Sequence, residues 1–192
     1  MIISDEIHAP LTYSDAVFTP YLDCGPDAEA TGVCITSSSK SWNLAGLKAA
    51  FLLTQSEVMQ SKVNRMPQAT HRRSSIIGAF AMAEAYENGI AWLDSTVQTL
   101  DENRHFLKSE VQRLLPEVTY EIPQAGYLAW LDVSAWELGD KTVAKLIQDA
   151  KVSLVPGNDH GPQYTNHVRL NFGTSKELIT DGLTRIAKAL GK

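Results

Sequence analysis

Hydrophobic positions come first as short runs, then with a helical period, then in short alternation, and these three textures divide the chain. Met1, Ile2 and Ile3 read as the end of a buried strand, with Asp5, Glu6 and His8 following at once. Residues 10 to 32 are loop-like, punctuated by Pro20, Gly25, Pro26 and Gly32. Val33 to Thr36 is a short apolar run, the mark of a second buried strand. It empties into Ser37, Ser38, Ser39 and Lys40, and a third strand is predicted over Gly46 to Thr54. Helical spacing begins with Ile76, Phe80 and Ala83, which Gly89 closes as a C-cap. Leu93, Val97, Leu100, Leu107, Val111 and Leu114 then hold one face for about six turns, until Pro116 stops the helix.

Beyond Pro116, Val118, Tyr120 and Ile122 alternate with polar residues, and Pro123 to Gly126 turns the chain into Tyr127 to Val133, a predicted hairpin. A helix over roughly Lys141 to Ala150 follows, then strands near Val152 to Val155 and His167 to Phe172. The last helix carries Leu178, Leu183, Ile186 and Leu190 on one face, and Thr174 with Glu177 forms a capping box at its start. The pattern therefore predicts an α/β chain in three parts. Residues 1–92 offer three strands, too few to close a sheet. Residues 93–114 form a long helix between bodies, and residues 115–192 a small self-contained α+β domain.

Composition narrows the function classes. The 192 residues hold 22 acidic and 17 basic side chains, a net charge of −5, which leaves no electrostatic footprint for nucleic acid or a membrane surface. At 44% hydrophobic there is material for a core. The longest apolar stretch, Leu47 to Leu53, is far below the ~20 residues of a membrane span. The first residues lack the basic start and small-residue cleavage site of a secretory signal. Cys24 and Cys34, without a second pair, indicate neither a zinc site nor a disulfide framework. A soluble, cytoplasmic chain without metal is expected.

Three places could carry chemistry. Lys40 directly follows an apolar strand among small hydroxyl residues, where a lysine can acquire a lowered pKa and form a Schiff base; alternatively it is a solvated surface lysine. Asp5 and His8 would share its cleft if the first two strands are parallel neighbours, because ligands gather at the carboxyl ends of such strands. Their plainer roles are turn residue and satisfied loop histidine. Alternation puts Val168, Leu170 and Phe172 of the His167 to Phe172 strand in the core and Arg169 on the other face, as a sheet-surface residue or a carboxylate clamp.

Taken together these segments resemble a known family. Ser-Asp-Glu-Ile-His at 4–8, Ser-x-Ser-Lys-x-Trp-Asn-Leu-Ala-Gly at 37–46, Gly-Tyr-Leu-Ala-Trp-Leu-Asp at 126–132, Val-Pro-Gly at 155–157 and Val-Arg-Leu-Asn-Phe at 168–172 occur in order. The chain resembles the fold-type I pyridoxal 5'-phosphate (PLP) enzymes of the class I/II aminotransferase group, in particular the bacterial cystathionine β-lyase, or C–S lyase, branch. The resemblance implies part of a PLP-dependent transferase-like large domain, with a parallel-rich sheet and helices, followed by a small α+β domain. It also implies that Lys40 carries the cofactor and removes the substrate α-proton, and that Asp5 pairs with the pyridinium nitrogen. By the same likeness His8 lies near the ring hydroxyl, Ser37 binds the cofactor phosphate and Arg169 grips the substrate carboxylate. Lys48 stands where many relatives place a phosphate-binding arginine, and His160 where they place an aromatic residue.

Relatives carry a substantial N-terminal half ahead of the Asp-Glu-Ile-His motif, so the chain corresponds to a C-terminal half. The implied activity is elimination of a thiol from an S-substituted cysteine to give pyruvate and ammonia, in the cytoplasm. The likeness also implies a homodimer, or an N-terminal half supplied in cis or by a separate chain. Transamination within the same family, or a non-catalytic remnant acting as an interaction module, are the alternatives.

Overall fold

The structure of the protein is a computed structural model, and it describes residues 1–136 and 143–192. Two compact units, Met1–Val97 and Gln98–Lys192, divide the chain.

In the first unit, β1 (Ile2–Asp5) runs parallel to β2 (Gly32–Thr36), with Ile2 opposite Gly32 and Asp5 opposite Ile35. The antiparallel β3 (Phe51–Leu53) completes a three-stranded sheet of order β1-β2-β3. The sheet is thus mixed and not parallel-rich. Between β1 and β2 lies α1 (Pro26–Thr31), with Pro26 at its first turn. The short α2 (Ser38–Ser41) leaves the end of β2. Then come α3 (Glu57–Asn64), α4 (Gln68–His71) and α5 (Ile76–Asn88), with Ser56 and Ser75 as side-chain N-caps of α3 and α5. The core here is small: Leu11, Tyr13, Val33, Cys34, Trp42 and Met59 are buried.

Several expectations for this unit need correction. The first strand exists but is not buried, for Ile2 and Ile3 are 48% and 59% exposed. The third strand is shorter than the predicted 46 to 54, because Ala45–Leu47 form a 3₁₀ turn and Lys48 takes a left-handed φ of 51° that interrupts extended backbone. The helix with Ile76, Phe80 and Ala83 forms and Gly89 is its C-cap, yet these three side chains face solvent.

The 25-residue helix α6 (Ile90–Leu114) contains the boundary between the units. In the second unit, β4 (Thr119–Tyr120), β5 (Leu128–Asp132), β6 (Val155–Pro156) and β7 (His167–Asn171) form an antiparallel sheet of order β4-β5-β7-β6. The predicted hairpin is its β4–β5 pair. Ala129, Leu131, Val168 and Leu170 alternate onto the buried face, where Leu107 and Val111 of α6 also lie in the core. So do Leu146 of α7 (Val143–Ala150) and Leu183 and Ile186 of α8 (Lys176–Ala189). Residues 141 and 142 of the predicted helix lie outside the described residues. Asn103 of α6 donates to the Phe172 and Thr174 carbonyls at 3.0 and 2.7 Å, and Arg104 to that of Pro123 at 2.8 Å.

Two further corrections fall here. The strand near Val152 to Val155 is only Val155–Pro156. The cap of α8 is Ser175, whose hydroxyl accepts from the Leu178 N–H at 3.4 Å, and not Thr174. On the helix itself Leu183 and Ile186 are buried as predicted, but in the first turn Leu178 is 60% exposed and Ile179 is the core residue.

Candidate active site

The parallel pairing of β1 and β2 fixes where the first group of side chains gathers. Both strands end at the same edge of the sheet, so Asp5, His8, Ser37 and Lys40 all follow from that edge. Asp5 is exposed, and its Oδ1 accepts from the Ile7 N–H at 3.2 Å. His8 is half-buried, ahead of the 3₁₀ turn Ala9–Leu11. Burial first, and then the Lys40 ammonium, hold the His8 imidazole below its ordinary pKa, while the Asp5 carboxylate pulls the other way. The fields of Lys40 and Asp5 thus meet at His8.

Ser37 is buried, and its hydroxyl is fully engaged. It caps α2 by accepting from the Ser39 N–H at 3.0 Å, donates to the Ala49 carbonyl at 2.6 Å, and lies 2.6 Å from the Ser39 hydroxyl. Ser41 Oγ, one residue past Lys40, is buried with no hydrogen-bond partner among the described residues. Half-buried Lys40 therefore stands on a helical turn rich in hydroxyls, one of them unsatisfied. Lys48 lies further on, exposed, at the end of the 3₁₀ turn.

Two side chains that sequence reasoning did not single out brace this edge. Glu6 Oε1 accepts from the Tyr21 N–H at 2.8 Å, the Ser4 hydroxyl at 3.0 Å and the Cys34 thiol at 3.1 Å. That one carboxylate ties β1 to β2 and to the loop between them, directly beside Asp5. Burial, reinforced by Glu6, pushes the Cys34 thiol up to about 11. Trp42 is buried, donates to the Gly89 carbonyl at 2.9 Å and packs on Tyr86 at 4.7 Å. A Cβ at Gly89 would lie 2.5 Å from Trp42 Nε1, so only glycine permits that approach. The sequence signal for Trp42 was a lone large ring in a motif of small and polar residues; Glu6 gave no signal beyond its place next to Asp5.

Arg169 belongs to the second unit. It lies half-buried on the outer face of β7, opposite Trp130 of β5 and Val155 of β6. In the first unit a hollow of about 440 Å³ is lined by Ile35, Phe51, Leu52, Val63 and His71 among others, and none of the side chains expected to carry chemistry lines it. No group of three or more metal-binding side chains occurs among the described residues, and none of their helices is long and apolar enough to cross a membrane.

Comparison with known proteins gives these positions a context. The family described as aminotransferase class I and II matches residues 1–186. The chain is similar to cystathionine beta-lyase of Corynebacterium glutamicum, 36% identical over 98% of this chain and 50% of that protein. It is 33% identical to cystathionine beta-lyase PatB of Bacillus subtilis, over 98% of this chain and 49% of that one. Among solved structures, the PLP-bound C–S lyase from Staphylococcus hominis matches with a TM-score of 0.86 at 29% identity, over 99% of this chain and 50% of that one. The chain spans about half the length of the relatives it matches.

Proposed function

Because the chain belongs to the aminotransferase class I and II family, we propose that, completed by an N-terminal half of the fold, it forms a PLP-dependent C–S β-lyase of the cystathionine β-lyase type. Its substrate is an S-substituted cysteine, and its products are a thiol, pyruvate and ammonia. The missing half is supplied in cis or by a separate chain, and the enzyme works as a homodimer in the cytoplasm. Residues 1–92 then belong to the cofactor-binding large domain, 93–114 to the helix between domains and 115–192 to the small domain.

The observation that carries the reading is the gathering of a carboxylate, an imidazole, hydroxyls and an amine at one edge of the β1–β2 pair. That donor set fits PLP, and the unsatisfied Ser41 hydroxyl leaves hydrogen-bonding capacity beside Lys40. PLP, when bound, supplies the electron sink for the charge left at the substrate Cα. Lys40 is the residue that carries it and the base that takes the α-proton. Asp5 holds the ring nitrogen protonated, since a carboxylate favours the charged form of its neighbour. His8, kept neutral by burial and by Lys40, hydrogen-bonds near the ring hydroxyl. Ser37 and Ser39 offer hydroxyls to the phosphate, with Ser37 giving up its bond to Ala49, and Lys48 adds a point charge. Arg169 takes the substrate carboxylate in its planar fork.

The test is Lys40→Ala. Borohydride treatment of the PLP-loaded protein is expected to fix the cofactor on Lys40 by mass spectrometry, and the variant to show neither label nor turnover. A label that persists and maps to Lys48 or Lys62 overturns the assignment.

A further inference from the structure

We propose that Trp130, His160, Tyr164 and His167 form the subsite for the sulfur substituent of the substrate, and that this subsite selects an aromatic, apolar substituent. The inference rests on the reading of Arg169 as the carboxylate clamp. Strand register supplies the geometry. Trp130 is the direct cross-strand partner of Arg169, and His167 that of Asp132, one pair further along the same face. Directly opposed side chains on one face have Cβ atoms ~4.5–5.5 Å apart. An S-substituted cysteine spans four bonds from its carboxylate carbon to the first atom beyond sulfur, on the order of 5 Å at ordinary bond lengths. A substrate held by its carboxylate at Arg169 therefore reaches the neighbouring rings with its substituent.

The rings make a continuous surface. Trp130 stacks on His167 at 5.3 Å and 19°, and meets His160 and Tyr164 edge-on, each at 5.5 Å. Tyr164 closes on His167 at 5.8 Å. Trp130 and His167 are half-buried while His160 and Tyr164 are exposed, so the cluster has a fixed floor and an open rim. His167 Nδ1 is buried with no hydrogen-bond partner among the described residues, so ring packing sets its place. The nearby carboxylate of Asp132 accepts from the Ser134 N–H at 2.9 Å on one of its oxygens. A zwitterionic tail would have to shed water here for ring faces and edges, at a cost that an aryl or thioether group does not meet.

The experiment uses the PLP-loaded full-length protein in a Lys40→Ala background, where the α-proton is not removed and binding is read without turnover from the cofactor absorbance. The probes are S-methyl-L-cysteine and S-benzyl-L-cysteine. The benzyl probe is expected to bind about tenfold tighter, the scale of one good aromatic contact. Adding Trp130→Ala or Tyr164→Ala should bring the ratio of dissociation constants towards one, and Trp130→Phe should retain most of it. Tyr164 lies on the exposed rim, so its variant decides even if Trp130→Ala does not fold. Arg169→Ala should weaken both probes and leave the ratio. A ratio near one in the parent, or a ratio unmoved in the ring variants because both probes weaken together, overturns the subsite. If Arg169→Ala weakens neither probe while ring variants collapse the ratio, the carboxylate reading fails and the ring surface stands. Absence of any binding overturns both.

Discussion

Asn103 is where a single atom can be weighed. It is 3% exposed in the middle of α6, and its amide donates to two carbonyls just past the end of β7, those of Phe172 and Thr174. Asn103→Ala removes both bonds without opening a large apolar cavity. Phe172 is fully buried, so its carbonyl loses its side-chain donor in a place water does not reach, a cost of ~1–3 kcal/mol. Thr174 is exposed and its carbonyl can turn to solvent, so that loss is the net worth of one bond, ~0.5–1.5 kcal/mol. Together these give about 2–4 kcal/mol, or roughly 30- to 1,000-fold in an opening equilibrium. Native-state hydrogen exchange at Leu131, Val168 and Leu183, all buried in the second unit, reads that equilibrium directly. Asn103→Asp, nearly isosteric, should cost more, because a carboxylate would then face two carbonyls. Protection that falls less than about twofold in the alanine variant, or an aspartate variant as stable as the parent, would refute the bookkeeping.

Other outcomes follow from the same structure. Glu110 is buried and takes two bonds from Arg113, at 2.8 and 2.7 Å, and one from Thr180 at 2.8 Å. Arg113, helped by Thr180, holds its carboxyl below the ordinary value against the upward push of burial. A depressed folded pKa contributes stability that is present above the unfolded value of about 4.3 and disappears as pH falls through the folded one. The stability gap between parent and Glu110→Gln, read by urea midpoints, should therefore be full at pH 6 and close towards pH 3; a gap independent of pH contradicts this. Gly89→Ala would set a methyl 2.5 Å from Trp42 Nε1 and should cost about 1–3 kcal/mol by overpacking, with a change in Trp42 fluorescence. Unchanged stability and emission would show that the approach is not constrained.

What the sequence made legible was period, and what it hid was opposition. Alternation of two correctly put Val168, Leu170 and Phe172 inside and Arg169 outside, because a strand has only two faces. Two short apolar runs ending in polar clusters marked the first two strands, but their parallel pairing entered only as a condition, which the structure meets. In α5 the period of Ile76, Phe80 and Ala83 predicted a helix, yet a period shows which side is apolar without showing what covers it, and here these positions are exposed. In α8 two adjacent hydroxyl residues could both cap, and the period alone did not separate Leu178 from its neighbour Ile179 in the first turn, where Ser175 is the cap and Ile179 is buried. Glu6 was invisible for a different reason. Its partners Tyr21 and Cys34 are 15 and 28 residues away, beyond any local pattern.

The same Glu6 contact makes Cys34 a reporter of the sheet it sits in. With the thiol pushed up to about 11, only about one molecule in ten thousand carries a thiolate at pH 7, and the thiolate is the form that alkylating reagents attack. Cys34 is 2% exposed, whereas Cys24 on the neighbouring loop is exposed and free. One chain thus holds a buried thiol and an exposed one ten residues apart. The sulfur becomes accessible only when this part of the sheet opens, which breaks its bond to Glu6 and exposes the β1–β2 ladder around it. Modification of Cys34, counted against Cys24 as an internal clock, therefore measures how often the sheet edge bearing Asp5 and Lys40 comes apart.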